Sequence, residues 1–192
     1  MSIQICVICP VSNLEEFASL GEVDMSLTHI VLKDNKYAKY YKEQRKYGRH
    51  VILDCSAFEM QKQGKGMDPG PVLKAASMTN PTEVIATDVL YDAAATIEST
   101  KDFIKLMKKN KVLGKYKLMV AIQGRTVDEW MSCFETILQM KEVNTIGLSK
   151  LSVPESFGHW VKGFKYKNGK LIKQNGYVAL GKYMGALSEK RR

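Results

Sequence analysis

The chain has 192 residues, of which 45% are hydrophobic and 26% charged; 29 basic against 20 acidic side chains give a net charge of +9. This balance is typical of one folded domain with a substantial core, and it excludes disordered, collagen-like and disulfide-scaffolded chains. No apolar run approaches the roughly 18 residues of a membrane-spanning helix, and the amino terminus lacks the features of a signal peptide. We therefore expect a single domain over residues 1–192, cytoplasmic and without a membrane partner.

Short β-rich runs alternate with longer helical segments along the first 150 residues. The predicted strands cover residues 3–9, 29–32, 50–53, 83–87, 117–122 and 144–148. The predicted helices cover residues 13–20, 35–47, 69–78, 96–110 and 126–141. Several strands are apolar at successive positions, which indicates cover on both faces, and strand–helix alternation predicts a parallel sheet. Since no glycine-rich phosphate loop follows a strand, we favour an α/β fold of the parallel (β/α) TIM-barrel type.

The chain is short for such a barrel, because eight complete units usually need about 250 residues. We therefore expect an incomplete barrel of about six units. Beyond residue 148, an Asn168-Gly169 pair between alternating residues predicts a β-hairpin. Residues 161–192 contain nine basic residues and one acid, so we expect this hairpin to belong to a basic C-terminal extension.

Two basic stretches are candidates for contact with nucleic acid, because basic side chains neutralise phosphates and tyrosines stack on bases. In the C-terminal extension the candidates are Lys162, Lys165, Lys167, Lys170 and Lys173. The second stretch, residues 36–49, interleaves four tyrosines with six basic side chains. Its alternative interpretation is a solvated helix whose tyrosines face the core.

The four cysteines have neither the spacing of a disulfide framework nor that of a two-pair zinc site. Cys6 and Cys9 form a C-x-x-C inside a strand-like run, whereas a redox pair opens a helix. We expect the cysteines to be small buried hydrophobes, and we expect no metal and no cofactor.

Groups suited to binding a base follow four successive predicted strands. They are Asp54, Asp88, Gln123-Gly124 and Gly147-Leu148, after strands three to six. The carboxyl ends of parallel strands open onto one ligand site, so we expect these groups to meet at one mouth. Carboxylates and an amide can bind a purine edge, glycines admit a ring close to the backbone, and Phe58 offers a stacking face. Each group also has a plainer interpretation as a helix cap or a turn residue.

The histidines give weaker signals. His29 and His50 open predicted strands at the end opposite this mouth, which predicts structural or solvated roles for both. His159 follows the sixth strand and has no predicted position.

The segments DCSAFE (54–59), ATDV (86–89), IQG (122–124) and IGLS (146–149) give the chain a resemblance to a known family. In order and spacing they resemble the tRNA-guanine transglycosylase superfamily, in particular short phage-encoded members related to the DNA 7-deazaguanine transglycosylases. The resemblance covers residues 3–155. It implies a (β/α)8-type barrel, located in the host cytoplasm, that exchanges guanine for a 7-deazaguanine-type base in DNA or tRNA.

The resemblance also implies roles for individual residues. Asp54 matches the Asp of the family's D-S-G-G-[FY]-Q motif, which transfers protons near the base, and Phe58 matches the aromatic residue that stacks on it. Asp88 matches the Asp that reads the guanine-like edge, while Gln123, Gly124 and Gly147 match groups that line the pocket. Base exchange needs an acid for the departing base and a stabilised sugar centre, roles that Asp54 and Asp88 can divide.

Three interpretations stay open, because the family's nucleophilic Asp after a seventh strand and its zinc-binding cysteines have no counterpart in this sequence. The first is an active pentosyltransferase whose partners are a purine or 7-deazapurine base and DNA or tRNA. The second is a non-catalytic protein that sequesters a purine or a nucleotide. The third is one half of a two-chain transglycosylase, completed by a second copy or a complementary subunit.

Overall fold

The computed structural model describes residues 4–62, 64, 66 and 68–157, followed by 165–167, 170–172, 180–181 and 184. Its central sheet contains β1 (Cys6–Ile8), β2 (Val23–Leu27), β3 (His50–Asp54), β4 (Glu83–Ile85), β5 (Lys117–Ile122) and β6 (Thr145–Leu148). All five neighbouring pairs are parallel, and the strands lie in sequence order. The sheet curls into a half-barrel, which confirms the predicted α/β class and the parallel sheet.

Helices connect these strands. They are α1 (Leu14–Phe17), α2 (Thr28–Val31), α3 (Asn35–Lys46), α4 (Ala57–Lys62), α5 (Pro69–Thr79), α6 (Ala93–Lys109), α7 (Val127–Leu138) and α8 (Ser152–Phe157). Caps fix where the longer ones begin: the Asp34 and Asp92 side chains each accept a backbone N–H three residues on, and Thr126 with Glu129 forms a capping box. None of the helices in the described part of the chain is long and apolar enough to cross a membrane.

The core lies between the helices and one face of the sheet. Along β5, Leu118, Val120 and Ile122 are fully buried, while Met119 and Ala121 between them are only half-buried. Because alternate residues of a strand point to opposite faces, the helix layer covers one face and leaves the other partly open. The layer is continuous, since α3 packs on α5, α5 on α6 and α6 on α7.

The prediction of a strand at residues 29–32 is wrong. The second strand is β2, and residues 28–31 form the helical turn α2. β2 lacks the continuous apolar run of the other strands, because Asp24 and Ser26 alternate with its three apolar residues, so a search for such runs misses it. Packing rather than β-propensity decides the conformation of the next segment, where Val31 is fully buried. The short helices α4 and α8 were not predicted either.

An ion pair accounts for the buried carboxylate of Asp24, which is 1% exposed. The Arg49 guanidinium donates to both its oxygens, from Nε at 2.6 Å and from Nη2 at 2.9 Å. Nη2 also donates to the Gly21 carbonyl at 2.5 Å. Arg49, one of the basic residues of the 36–49 stretch, therefore joins β2 to the start of β3.

After Phe157, the structure describes two short strands, β7 (Lys165–Lys167) and β8 (Lys170–Ile172), which pair antiparallel. The predicted turn at 168–169, the lysines at 162 and 173, and His159 lie outside the described residues. The basic hairpin and its contacts with nucleic acid stay predictions. Leu180 is buried in the core and Met184 packs against it, so part of the C-terminal extension returns to the domain.

Replacing Arg49 by Leu leaves the Asp24 carboxylate buried without a counter-ion. We expect Arg49→Leu to lower the free energy of unfolding by about 3 kcal/mol, measured by urea denaturation. The double variant Asp24→Leu/Arg49→Leu buries no charge and should recover much of this loss. If Arg49→Leu were as stable as the wild type, Arg49 would not be what compensates the buried carboxylate of Asp24.

Candidate functional site

Hydrogen bonds to the carboxylate of Asp88 connect the ends of three strands. Gln123, directly after β5, donates from Nε2 to Asp88 Oδ2 at 2.5 Å, and Cys55, directly after β3, donates from Sγ to Oδ1 at 3.2 Å. The amide of Gln123 has one possible orientation, because its Oε1 accepts the backbone N–H of Tyr91 at 3.1 Å. The sequence prediction that Asp88 and Gln123 meet at the carboxyl ends of the strands agrees with this geometry.

Asp54, the last residue of β3, lies beside this cluster and is half-buried. Its Oδ2 accepts the Ser56 N–H at 3.2 Å, and its backbone carbonyl accepts the Thr28 hydroxyl at 2.7 Å. Burial, together with the negative charge of Asp88, raises the pKa of Asp54 to about 7. A carboxyl group with this pKa can give and take a proton near neutral pH, as a general acid or base must.

The environments of Asp54 and Asp88 differ in their hydrogen bonds. Burial raises the pKa of Asp88 as well, but its hydrogen bonds from Cys55 and Gln123 favour the charged form and oppose that rise. Asp54 has no side-chain donor of this kind among its recorded partners. The pair therefore consists of a proton-exchanging carboxyl group and a hydrogen-bonded acceptor, the division of roles that two-carboxylate sites use.

His29, on α2, and Ser56, shortly after β3, hold the turn that contacts Asp54. The Nδ1 atom of His29 lies 2.9 Å from Ser56 Oγ, and the His29 backbone N–H donates to the same oxygen at 3.3 Å. Ser56 is fully buried and has a φ of 64°, a left-handed conformation that costs energy in a residue other than glycine. Its N–H, held in this conformation, is the one that Asp54 accepts.

The predicted position of His29 is therefore wrong. His29 lies at the mouth, on α2, because the strand ends at Leu27 and the chain turns there. Burial lowers its pKa. Sequence reasoning missed both His29 and Ser56; the available signal was a non-glycine residue at the tight turn between β3 and α4.

His50 lies at the amino end of β3, as predicted, far along the strand from Asp54. Its Nε2 is 3.4 Å from the Oε2 atom of Glu83, and Glu83 also accepts the Thr145 hydroxyl. Glu83 is 3% exposed, so these contacts satisfy a buried carboxylate and have a structural role.

A cavity of about 440 Å³ opens beside Asp88. The residues that line it include Ala57, Gln61, Val89, Leu90 and Ser99. Its volume falls within the range of small-molecule sites, and its lining combines apolar side chains with a few polar groups. Such a cavity can take a flat heterocycle with its hydrogen-bonding edge toward Asp88.

A larger cavity of about 670 Å³ lies on the other side of Gln123, between the first turns of α6 and α7. Its lining includes Tyr91 and Arg125, whose guanidinium carbon is 5.9 Å from the centre of the Tyr91 ring. Three carboxylates, Asp92, Asp128 and Glu129, also line it. We place the candidate site in the smaller cavity, because Asp88, which joins the strand-end cluster, lines it.

Phe58, the predicted stacking residue, lies on α4 and is 40% exposed. The Lys62 ammonium stands over its ring, 4.2 Å from the centre. The residues of the cavity beside Asp88 include its neighbour Ala57 but not Phe58. Stacking of a base on Phe58 stays a prediction and would require displacement of Lys62.

Packing explains the strand-end glycines. A Cβ atom on Gly124 would lie 2.5 Å from the backbone nitrogen of Trp130, and the Gly124 carbonyl accepts the hydroxyls of Ser152 and Ser156 at 2.7 and 2.8 Å. Gly124 thus lets the turn after β5 pack between α7 and α8.

Gly147 lies within β6, where a Cβ atom would be 3.3 Å from Ala121 Cα, and Leu148 at the end of the same strand is 51% exposed. Contact of Gly124, Gly147 and Leu148 with a base stays a prediction.

Among the residues that the structure describes, there is no group of three or more His, Cys, Asp or Glu side chains that could hold a metal ion. Comparison with known proteins finds no family model and no curated protein that matches the chain. The geometry of the strand-end cluster is therefore the basis for assigning a function.

The role of Gly124 in packing can be tested by adding a methyl group. We expect Gly124→Ala to lower the free energy of unfolding by about 1–3 kcal/mol, because backbone atoms that cannot move aside occupy the space. Gly70→Ala in α5 is the control: nothing lies within 4 Å of its Cβ, so stability should be unchanged or slightly higher. Equal effects of the two changes would contradict the packing role.

The shifted pKa of Asp54 predicts a dependence of stability on pH. Between the ordinary value of 3.8 and about 7, the native state binds the Asp54 proton more strongly than the unfolded chain, so wild-type stability falls as pH rises. Asp54→Asn removes this loss. We expect the free energy of unfolding of Asp54→Asn, relative to wild type, to be higher at pH 8 than at pH 5 in urea titrations; a constant difference would contradict the shift.

Proposed function

We propose that the protein is a transglycosylase that exchanges guanine for a 7-deazaguanine-type base in DNA or tRNA, on a shortened TIM-barrel-like fold. One observation carries the proposal: Asp54, Asp88 and Gln123 lie at three adjacent strand ends, and Asp88 lines a cavity of about 440 Å³. The order of the four sequence motifs supports it as well.

In this proposal Asp88 recognises the base. A carboxylate offers about four lone-pair positions, and Cys55 and Gln123 occupy two of those on Asp88. The others can accept the ring N–H and the exocyclic amine that a guanine and a 7-deazaguanine share. Because Cys55 and Gln123 already orient the carboxylate, little ordering is needed when the base binds.

Asp54 transfers the proton. When the bond between C1′ and the departing base breaks, its electron pair stays on the base, which takes the proton of neutral Asp54. The incoming base then bonds to C1′ and its ring N–H proton passes to Asp54, so the carboxyl group returns to its starting state. The pKa of about 7 suits both half-reactions.

Positive charge at C1′ needs a carboxylate. Glu59, on the first turn of α4, is the candidate, because it is half-buried and its charge acts on both Asp54 and His29, which places it near the mouth. We assign it this role within the proposal.

Base exchange is the decisive test. Purified protein is incubated with duplex DNA or with tRNA and radiolabelled guanine or a 7-deazaguanine, and label in the polymer is counted. We expect incorporation by the wild type, a loss of at least about 100-fold in Asp54→Asn and a clear loss in Asp88→Asn, since a positioned proton donor contributes about 10²–10⁴-fold.

Asp102→Asn, which changes an exposed carboxylate on α6, is the matched control and should retain full exchange. No exchange by the wild type with any of these bases and polymers would overturn the proposal. Calorimetric binding of a purine that weakens in Asp88→Ala, without exchange, would instead support the sequestering protein.

A second candidate, one half of a two-chain enzyme, has its own observation. Within the described residues, β1 and β6 each pair with one neighbour only, and they carry exposed Ile8 and Leu148. Unpaired strand edges are sites where another chain can add. This candidate predicts a dimer in analytical ultracentrifugation and exchange activity that falls on dilution below the dimer's dissociation constant, whereas a monomer with full activity would exclude it.

A further inference from the structure

Helix α3 has two chemically distinct faces. Its buried face packs Tyr37, Ala38 and Tyr41 into the core. Two of the four tyrosines of the 36–49 stretch, Tyr37 and Tyr41, therefore face the core, as the alternative interpretation of this stretch predicted. The opposite face is exposed and carries four lysines: Lys36, Lys39, Lys42 and Lys46. At 3.6 residues per turn, these lie within about 120° of the helix circumference.

The lysines of α3 differ from those of α6 in their partners. On α6, Lys101 and Lys105 lie 2.6 and 2.9 Å from carboxylates of the same helix, and Lys108 lies 2.6 Å from Glu142. On α3, Lys39 is 4.0 Å from Glu43.

For Lys36, Lys42 and Lys46, no carboxylate within ion-pair distance is found in the described part of the chain. The positive charge of α6 is therefore largely compensated, whereas that of α3 faces the solvent.

The exposed lysines of α3 are continuous with the candidate site. Thr28 and His29 contact the Asp54 turn, and the chain then passes through exposed Lys33 into α3. The charge of Lys33 acts on His29, which places it near the mouth. From Lys36 to Lys46 the helix rises about 15 Å, so the positive charge runs from the mouth along the outside of the half-barrel.

We propose that this lysine stripe, defined as Lys33, Lys36, Lys39, Lys42 and Lys46, binds the sugar–phosphate backbone of a nucleic acid. A row of exposed lysines, of which Lys39 alone has a carboxylate within ion-pair distance among the described residues, attracts a polyanion without a requirement for base sequence. A membrane surface would require several exposed apolar side chains beside the lysines, whereas Tyr37, Ala38 and Tyr41 are buried and Tyr47, at the end of α3, is a single exposed aromatic. The inference deepens the proposed function, on which it rests for the link between the backbone and a base at Asp88.

Two triple variants with the same change in net charge test the proposal. The first is Lys36→Gln/Lys42→Gln/Lys46→Gln on α3, and the second is Lys101→Gln/Lys105→Gln/Lys108→Gln on α6. The affinity for a fluorescent DNA duplex and for a tRNA is measured over a series of salt concentrations, after thermal melting has shown that both variants are folded.

We expect the α3 triple to reduce the slope of log affinity against log salt by about 2–3 for duplex DNA, because each lost phosphate contact contributes about 0.9. The α6 triple should leave the slope within about 0.5 of wild type.

Equal slope changes in the two variants, or no change in the α3 triple, would overturn the proposal. Because binding is measured without base exchange, the two proposals fail separately. A slope change confined to α3 in a protein that exchanges no base leaves the stripe in place and removes the transglycosylase. If the wild type exchanges bases but the α3 triple binds nucleic acid as the wild type does, the transglycosylase stands and the stripe is removed.

Discussion

The site depends on one constraint, the sequential order of a parallel sheet. Each of the five connections between neighbouring strands moves to the adjacent position in the same direction, so every strand ends at the same rim. Residues far apart in the chain thereby become neighbours: Cys55, Asp88 and Gln123 are separated by more than thirty residues at each step and share hydrogen bonds. An antiparallel arrangement would send alternate strand ends to opposite rims, and no such cluster would form.

Buried carboxylates divide into two kinds according to what compensates them. Asp24 has the Arg49 guanidinium, and Glu83 has His50 with the Thr145 hydroxyl. Among the described residues, no cation forms an ion pair with Asp54, and a second carboxyl group lies beside it, so burial favours its protonated form. Desolvation of a charge is thus offset by ion pairs near the amino ends of the strands, whereas at the carboxyl ends it produces a proton-exchanging group.

The distribution of surface charge follows a similar rule. Lysines alone do not make a binding face, since α6 is as rich in them as α3 but has carboxylates within reach. What distinguishes α3 is the spacing of its lysines on one face with few acids beside them. The mouth and this face are adjacent because α2 and α3 follow directly from the end of β2. A substrate that is both a base and a polyanion would engage the two together.

Local pattern was sufficient for much of the architecture. The sequence alone predicted five of the six sheet strands and, to within one residue, where α3, α5 and α7 begin, because apolar runs and helix-start residues act over a few neighbours. It also placed Asp88 and Gln123 at one mouth. It did not predict β2, because Asp24 and Ser26 alternate with the apolar residues of this strand and the counter-ion of Asp24 is 25 residues away.

Only the tertiary structure decided that Gly124 makes room for Trp130, that Ser56 adopts a left-handed conformation against His29, and that Asp54 retains a proton near neutrality. Each of these depends on a neighbour from another strand or helix. Close packing and desolvation are set by the whole fold and leave no periodic signal in the chain.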